Sequence, residues 1–382
     1  MVRTPSILLK AFTLTVALLG LTACVDAPKA GDNSNTSIYV YDSGALSIKA
    51  WSDVATLFAA TTVPAQNREI TGGAISNSSN VLGWGGLAMD TRNNRIYLVF
   101  ENGLVARVEH ARTQNGDLTN SSDLTTFTLG SSSDRFSGGS TFGSAVLDSA
   151  GTLYATETST NGGTDTRIWA VANAGSIGSG STVAANGSFI QSLATGDSGA
   201  TGVAVGSNNV VYAFFANGNS VTVSFSQTLN GARIRASSGG VFPYSTSLVI
   251  GDATTLGTSA TYGSLAFDSS TTALYATRTT SDTTQPAVVV FTPGQFNAGS
   301  PNAAPNRTLG DTVASLPNLR FIVHAGTKDW LAGASRVASG TGTGVGTNSL
   351  FLWKAPSAGG TAVQFLLGSS VAIRGLALDG NS

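Results

Sequence analysis

An all-β fold of six repeating four-stranded units is what this sequence predicts, and three observations predict it. A short strand ending in aspartate or its positional equivalent returns at a nearly even spacing, at Asp90, Asp148, Gly206, Asp268, His324 and Asp379. Glycine supplies 46 of the 382 residues and charged side chains only 11 %, a composition that suits short strands and turns. No stretch beyond residue 36 sustains a helical period of apolar residues.

The N-terminal stretch MVRTPSILLKAFTLTVALLGLTAC, ending at Cys24, carries Arg3 and Lys10 ahead of and at the start of an apolar run from Ala11 to Leu21, which is the layout of an export signal. That run is too short for a permanent membrane span. Leu21-Thr22-Ala23-Cys24 resembles the bacterial lipobox, which implies a diacylglyceryl group on Cys24 as the new N-terminus; an ordinary secretory signal is the alternative. Cys24 is the single cysteine, so no intrachain disulfide holds the fold. Residues 24–36 have the Pro, Gly and Asn content of a flexible tether, leaving 37–382 as one folded domain after a signal over 1–23. Val25 after the cysteine favours, by the same resemblance, sorting to the outer membrane or cell surface.

Within the repeats the motif strands are GGLAMD, GSAVLD, TGVAVG, GSLAFD, LRFIVH and RGLALD. A second strand follows with an aromatic at a nearly fixed offset, at Tyr97, Tyr154, Tyr212, Tyr275 and Trp330. Third strands are expected at LVARVEH from 104, RIWAVA from 167, VTVSF from 221, AVVVF from 287 and LFLWK from 350, and fourth strands run to Gly130, Gly196, Gly251, Gly310 and Gly368. Four strands per period with no room for a helix make a β-meander blade, and stacked blades bury both faces of each. At the ends, Tyr39 and Gly72 each stand one full period before their counterparts Tyr97 and Gly130. The closing blade is therefore expected to take its innermost strand from residues 374–379 and the other three from 37–72, giving a six-bladed β-propeller of four-stranded antiparallel blades. In the alternative, residues 37–41 are a third strand and one blade is a strand short.

The pattern G-x-A-x-D, polar turn, L-Y-A, apolar third strand and fourth strand ending in glycine resembles the six-bladed propellers grouped with NHL repeats and the gluconolactonase type, over residues 37–382. The latter resemblance implies a divalent metal at the channel mouth, held by acidic and Asn side chains. No residue here is matched to those ligands, so no metal or other cofactor is assigned.

Asp90, Asp148, Asp268 and Asp379 could be a ring of carboxylates for a cation, but each precedes a turn, where Asp accepts backbone N–H bonds, and repetition in every unit marks a scaffold role. His324 takes one of these positions and is expected to be a turn residue, while the repeated Tyr and Trp are expected in the inter-blade core. Six positions before the repeat aspartates stand Trp84, Phe142 and Tyr262, and Arg374 and Arg320 stand five and four positions before theirs. These five form the candidate ligand-binding rim, able to stack on a sugar or hold an anion, with loops at 131–141, 158–166 and 334–347 extending the face. No acid, base or nucleophile constellation is present, so no catalytic residue is assigned. A net charge of −1 gives no basic footprint for nucleic acid. The expected role is a non-enzymatic envelope lipoprotein that is anchored to the membrane through Cys24 and binds an envelope protein or glycan. The alternatives are a metal-dependent lactonase and a carbohydrate-binding module.

Overall fold

The computed structural model describes residues 36–380 apart from 63, 121, 137, 161–165, 184–188, 192–197, 207–210, 218–219, 227–247, 250–260, 280–287, 293–305, 310–318, 326–327, 336–347, 360–361 and 368–370. The signal, Cys24 and the tether up to residue 35 lie outside these, as do most of the loops expected at 158–166 and 334–347.

The strands form six sheets. One takes Ile373–Asp379, Ser37–Asp42, Ser47–Ser52 and Arg68–Thr71 in that order, so its innermost strand comes from the C-terminal end of the chain. The second runs Leu82–Asp90, Arg95–Phe100, Leu104–Val108, Leu124–Leu129. The third runs Ser140–Leu147, Leu153–Ser159, Thr166–Val171, Phe189–Gln191, and the fourth Ser198–Val205, Val211–Asn217, Ser220–Ser226, Leu248–Val249. The fifth is Thr261–Asp268, Ala273–Thr279, Val288–Phe291, Arg307–Leu309, and the sixth Leu319–His324, Trp330–Ser335, Ser349–Lys354, Ala362–Leu366. Neighbours within each of these meanders are antiparallel, and each innermost strand packs on that of the next sheet. The fold is an all-β propeller.

Why the strands read as continuous apolar runs follows from period-2 alternation between two buried faces. Ile38 and Val40 pack with Phe321, Ala332 and Leu350 of the sixth sheet, whereas Tyr39 and Tyr41 between them pack with Ile96, Leu98 and Phe100 of the second. Tyr97 and Val99, in turn, face Leu153, Ala155 and Trp169 of the third. The repeated tyrosines Tyr97, Tyr154, Tyr212 and Tyr275 are all buried. A single helical turn, Val54–Leu57, inserts Val54 and Leu57 into the same core as Ile38.

Two features escape the period. Short strands Gly116–Asp117 and Thr182–Val183 add in parallel to the outer edges at Ile70–Thr71 and Thr128–Leu129, so each covers the edge of the preceding sheet with chain from the following unit. The few charges are also used between sheets. Arg68 donates to the carbonyls of Ala111 (2.5 Å) and Gln114 (3.2 Å), Arg107 to those of Ala174 (2.9 Å) and Ile177 (3.0 Å), and Arg307 to that of Ser357.

Asp42 ties the C-terminal segment to the N-terminal strand, accepting from Ala372 N (2.9 Å), Gly44 N (2.9 Å) and Lys49 Nζ (2.7 Å). Burial pushes its carboxyl up, but Lys49 and the two N–H groups outweigh that and hold it below the ordinary 3.8. Because the folded value lies below the unfolded one, this stabilisation is complete above the unfolded value and is lost as pH falls through the folded one. Asp42→Asn is therefore expected to flatten the acid limb of stability, read as urea midpoints between about pH 5 and about pH 2. An acid limb as steep as wild type would contradict the assignment.

Candidate functional site

Every inner strand slips register against its second strand near its start, so that residues there are squeezed out of the ladder. Such bulges bend a strand and re-aim side chains. In the strand bearing Trp84 the slip is largest: Leu82 pairs with Phe100 and Leu87 with Leu98, so residues 83–86 face Val99 alone. Glycine makes this possible. A Cβ on Gly86 would stand 2.4 Å from the Val99 carbonyl oxygen, and Gly85 holds φ +73°.

The bulges separate the predicted rim residues. Trp84 leaves the ladder and is 43 % exposed. Its ring stacks on Phe321, with centroids 6.0 Å apart and planes at 18°, and the Arg374 guanidinium lies 4.8 Å from its centroid. Arg374 is itself the residue skipped between Gly375 and Ile373, and its Nη2 pairs with Glu101 Oε1 at 2.5 Å. Arg320 is likewise skipped, between Leu319 and Phe321, and is exposed. Phe142 behaves differently. It pairs in register with Glu157, is 2 % exposed and packs against Trp169 at 6.0 Å, with Arg135 over its ring. Its ring therefore belongs to the core between sheets, which corrects the expectation of a rim aromatic there. Tyr262 pairs with Arg278 in the backbone ladder, and its side chain lies outside the described residues.

Sequence reasoning missed Phe321, Glu101 and two serines. Ser144 and Ser264 occupy the bulges of the third and fifth sheets and bond across to the next inner strand, Ser144 Oγ accepting from Val203 N (3.3 Å) and Ser264 Oγ from Ile322 N (3.3 Å). The G-S pair in GSAVLD and GSLAFD was their only sequence signal. Beneath Arg374, Tyr41 donates to the Ile75 carbonyl (3.1 Å), and burial pushes its hydroxyl up to about 12.

A cavity of about 580 Å³ lies among the inner strands. Gly85, Ser144, Ser264 and Phe321 border it at the bulge level, Met89, Leu147, Phe267 and Val323 make its walls apolar, and Asp90, Asp148 and His324 border it at the strand ends. There the aspartates mostly hold turns. Asp90 accepts from Asn93 N (3.0 Å), Asp148 from Ala150 N (2.9 Å) and Thr152 N (2.8 Å), and Asp268 from Ser270 N (2.8 Å) and Oγ (2.6 Å). Asp379 instead takes Arg112, at 2.5 and 3.1 Å.

His324 departs from the expected turn role. Its buried imidazole stacks on Tyr275 at 5.6 Å, with Nε2 3.8 Å from Asp268 Oδ2 and 3.9 Å from Asp329 Oδ1. Burial pushes the imidazole below its ordinary 6.5 while Asp268 and Asp329 pull it upward. For Asp268, burial raises the carboxyl, but Ser270, Thr271 and His324 together hold it below 3.8. Among the described residues, Asp268, His324 and Asp329 are the group whose ligand atoms, all within 4.8 Å of one another, suit a metal ion.

No protein-family model matches this chain, and no curated protein does. Among solved structures the chain is similar to the Cps50 (Swd1) β-propeller domain of Myceliophteria thermophila, at 11 % identity over 84 % of this chain and 80 % of that one, TM-score 0.41. It is also similar to a protein carrying the provisional name gluconolactonase, at 11 % identity over 79 % of this chain and 85 % of that one, TM-score 0.41. At that level of likeness neither is a basis for assigning a role.

Proposed function

We propose that this chain is an envelope lipoprotein, anchored through a lipid on Cys24, whose propeller is a non-enzymatic scaffold that holds an envelope protein at the bulged rim. The observation that carries this reading is Trp84: an indole 43 % exposed, placed there by a glycine-dependent bulge and braced by Phe321 and Arg374. Tryptophan and arginine together are the residues that most often dominate protein contact energies. A guanidinium over the ring also favours a protein contact over sugar stacking, which needs an open aromatic face. Arg320, next to Phe321 in the chain, adds an exposed cation. The lactonase reading stands behind this one, because the described bulge residues bring aromatic, guanidinium and hydroxyl groups to the rim.

In this reading the six sheets are six blades of a closed ring. Supporting it, Ser37–Asp42 is hydrogen-bonded on one side to Ile373–Asp379 and on the other to Ser47–Ser52, and Ile373–Asp379 packs on the inner strands of both flanking sheets. Anchorage and sorting to the outer membrane or surface rest on the signal and the LTAC motif.

Capture from the detergent-solubilised native envelope tests the function. Tagged wild type should retain a partner protein, and Trp84→Ala should weaken its binding by about thirty-fold or more, the cost of losing a contact hot spot of about 2 kcal/mol. An unchanged melting temperature would show that Trp84→Ala is folded. Equal capture by both proteins would overturn the reading.

A further inference from the structure

We propose that Asp268, His324 and Asp329 bind one divalent transition-metal ion of the zinc class, which pins the fifth sheet to the sixth at the end of the cavity away from the bulged rim. Asp268 closes the inner strand Thr261–Asp268, His324 closes the adjacent inner strand Leu319–His324, and Asp329 immediately precedes the strand Trp330–Ser335. Stacking of the two sheets thus brings Asp268 to His324 and Asp329, which stand a full repeat later in the sequence within one hairpin.

The spacing is close to that of ligands around an ion, with all three ligand atoms within 4.8 Å of one another. At 3.8 and 3.9 Å the imidazole Nε2 is too far from either carboxylate oxygen for a hydrogen bond. Ligand atoms about 2.1 Å from a tetrahedral zinc stand about 3.4 Å apart, so each of these pairs needs to close by only about half an ångström. Second contacts already orient all three groups, as in metal sites generally. Tyr275 stacks on the imidazole, Ser270 and Thr271 bond the Asp268 carboxylate, and Ser357 N (3.1 Å) and Oγ bond that of Asp329.

The repeat supplies an independent reason. The equivalent positions hold Asp90, Asp148, Asp268 and Asp379, or Gly206, and only here does an imidazole replace them. An imidazole is a poor substitute for a carboxylate in collecting N–H bonds from a following turn, but with two carboxylate oxygens it makes the nitrogen and oxygen set that zinc takes. Three protein ligands leave a position for water, and the partly exposed Asp329, at 32 %, gives the ion a way in. This site differs in ligand type, through its imidazole, from the metal held by acidic and Asn side chains that the gluconolactonase resemblance implies.

Purified protein, stripped with a chelator and dialysed, tests it by titration calorimetry with zinc chloride and by elemental analysis. A single equivalent of zinc should bind and raise the melting temperature, while Asp329→Ala and His324→Gln should each weaken zinc binding by roughly 100-fold or more and abolish that rise. Asp329→Ala alters a partly exposed group, so its circular dichroism should match wild type. Absence of zinc uptake, zinc binding unchanged in both variants, or preferential calcium binding indifferent to His324→Gln would each overturn the proposal. None of these outcomes depends on whether the rim binds a partner.

Discussion

Glu157→Gln will destabilise this protein by about 3–5 kcal/mol, the range for breaking one side of a buried ion pair. Glu157 is fully buried, lies directly across the ladder from Arg167, and accepts Arg167 Nε at 2.6 Å and Nη2 at 3.3 Å. The same carboxylate takes the Trp169 indole N–H at 2.6 Å and Phe136 N at 3.2 Å. Glutamine preserves the shape but removes the charge, leaving the Arg167 guanidinium buried without its counter-ion, and it donates where an acceptor is required. The midpoint in guanidinium chloride should fall with little change in slope. A double variant, Glu157→Leu with Arg167→Met, should recover most of the loss because no uncompensated charge then remains. A loss below about 1 kcal/mol for Glu157→Gln would mean that the pair is solvated and its geometry incidental.

Deleting residues 373–382 should abolish cooperative folding. The segment carries Ile373, Leu376, Ala377, Leu378 and Asp379, all buried, and is the inner neighbour of Ser37–Asp42. Burying three aliphatic side chains of this kind contributes about 5–9 kcal/mol in all, before the lost ladder is counted. The Arg112–Asp379 pair is lost with it. Whole domains are stable by only about 5–15 kcal/mol, so the truncated chain should aggregate or melt without a transition. Supplying residues 371–382 as a separate peptide should restore a sharp melt. A truncated protein that keeps the wild-type melting temperature would show that the C-terminal strand does not complete the first sheet.

The strand plan was legible because it depends on local spacing. A tyrosine at a nearly fixed distance after the repeat aspartate fixes which residues face which neighbouring sheet, and Tyr97, Tyr154 and Tyr275 are buried accordingly. The rim was only half legible. Trp84 and Phe142 stand at the same distance from their aspartates, yet one is expelled by a slip of residues 83–86 and the other stays in register opposite Glu157. That difference depends on close approaches between strands, such as Gly86 against the Val99 carbonyl, which no single strand reveals. The two-residue strands at 116–117 and 182–183 carry no periodicity because they are too short to show one. His324 could be flagged as a departure from the repeat, with Asp329 five residues on, but its nearness to Asp268 comes from stacking of two sheets.

Hydroxyl-radical footprinting of the protein alone and in its captured complex reads the rim residue by residue and so shows whether Trp84 is the contact. Trp84 should be strongly protected in the complex, with Leu366, exposed at 55 % on the outer strand of the sixth sheet, as reactive as before. Undiminished reactivity of Trp84 in a complex that protects other surfaces would contradict it.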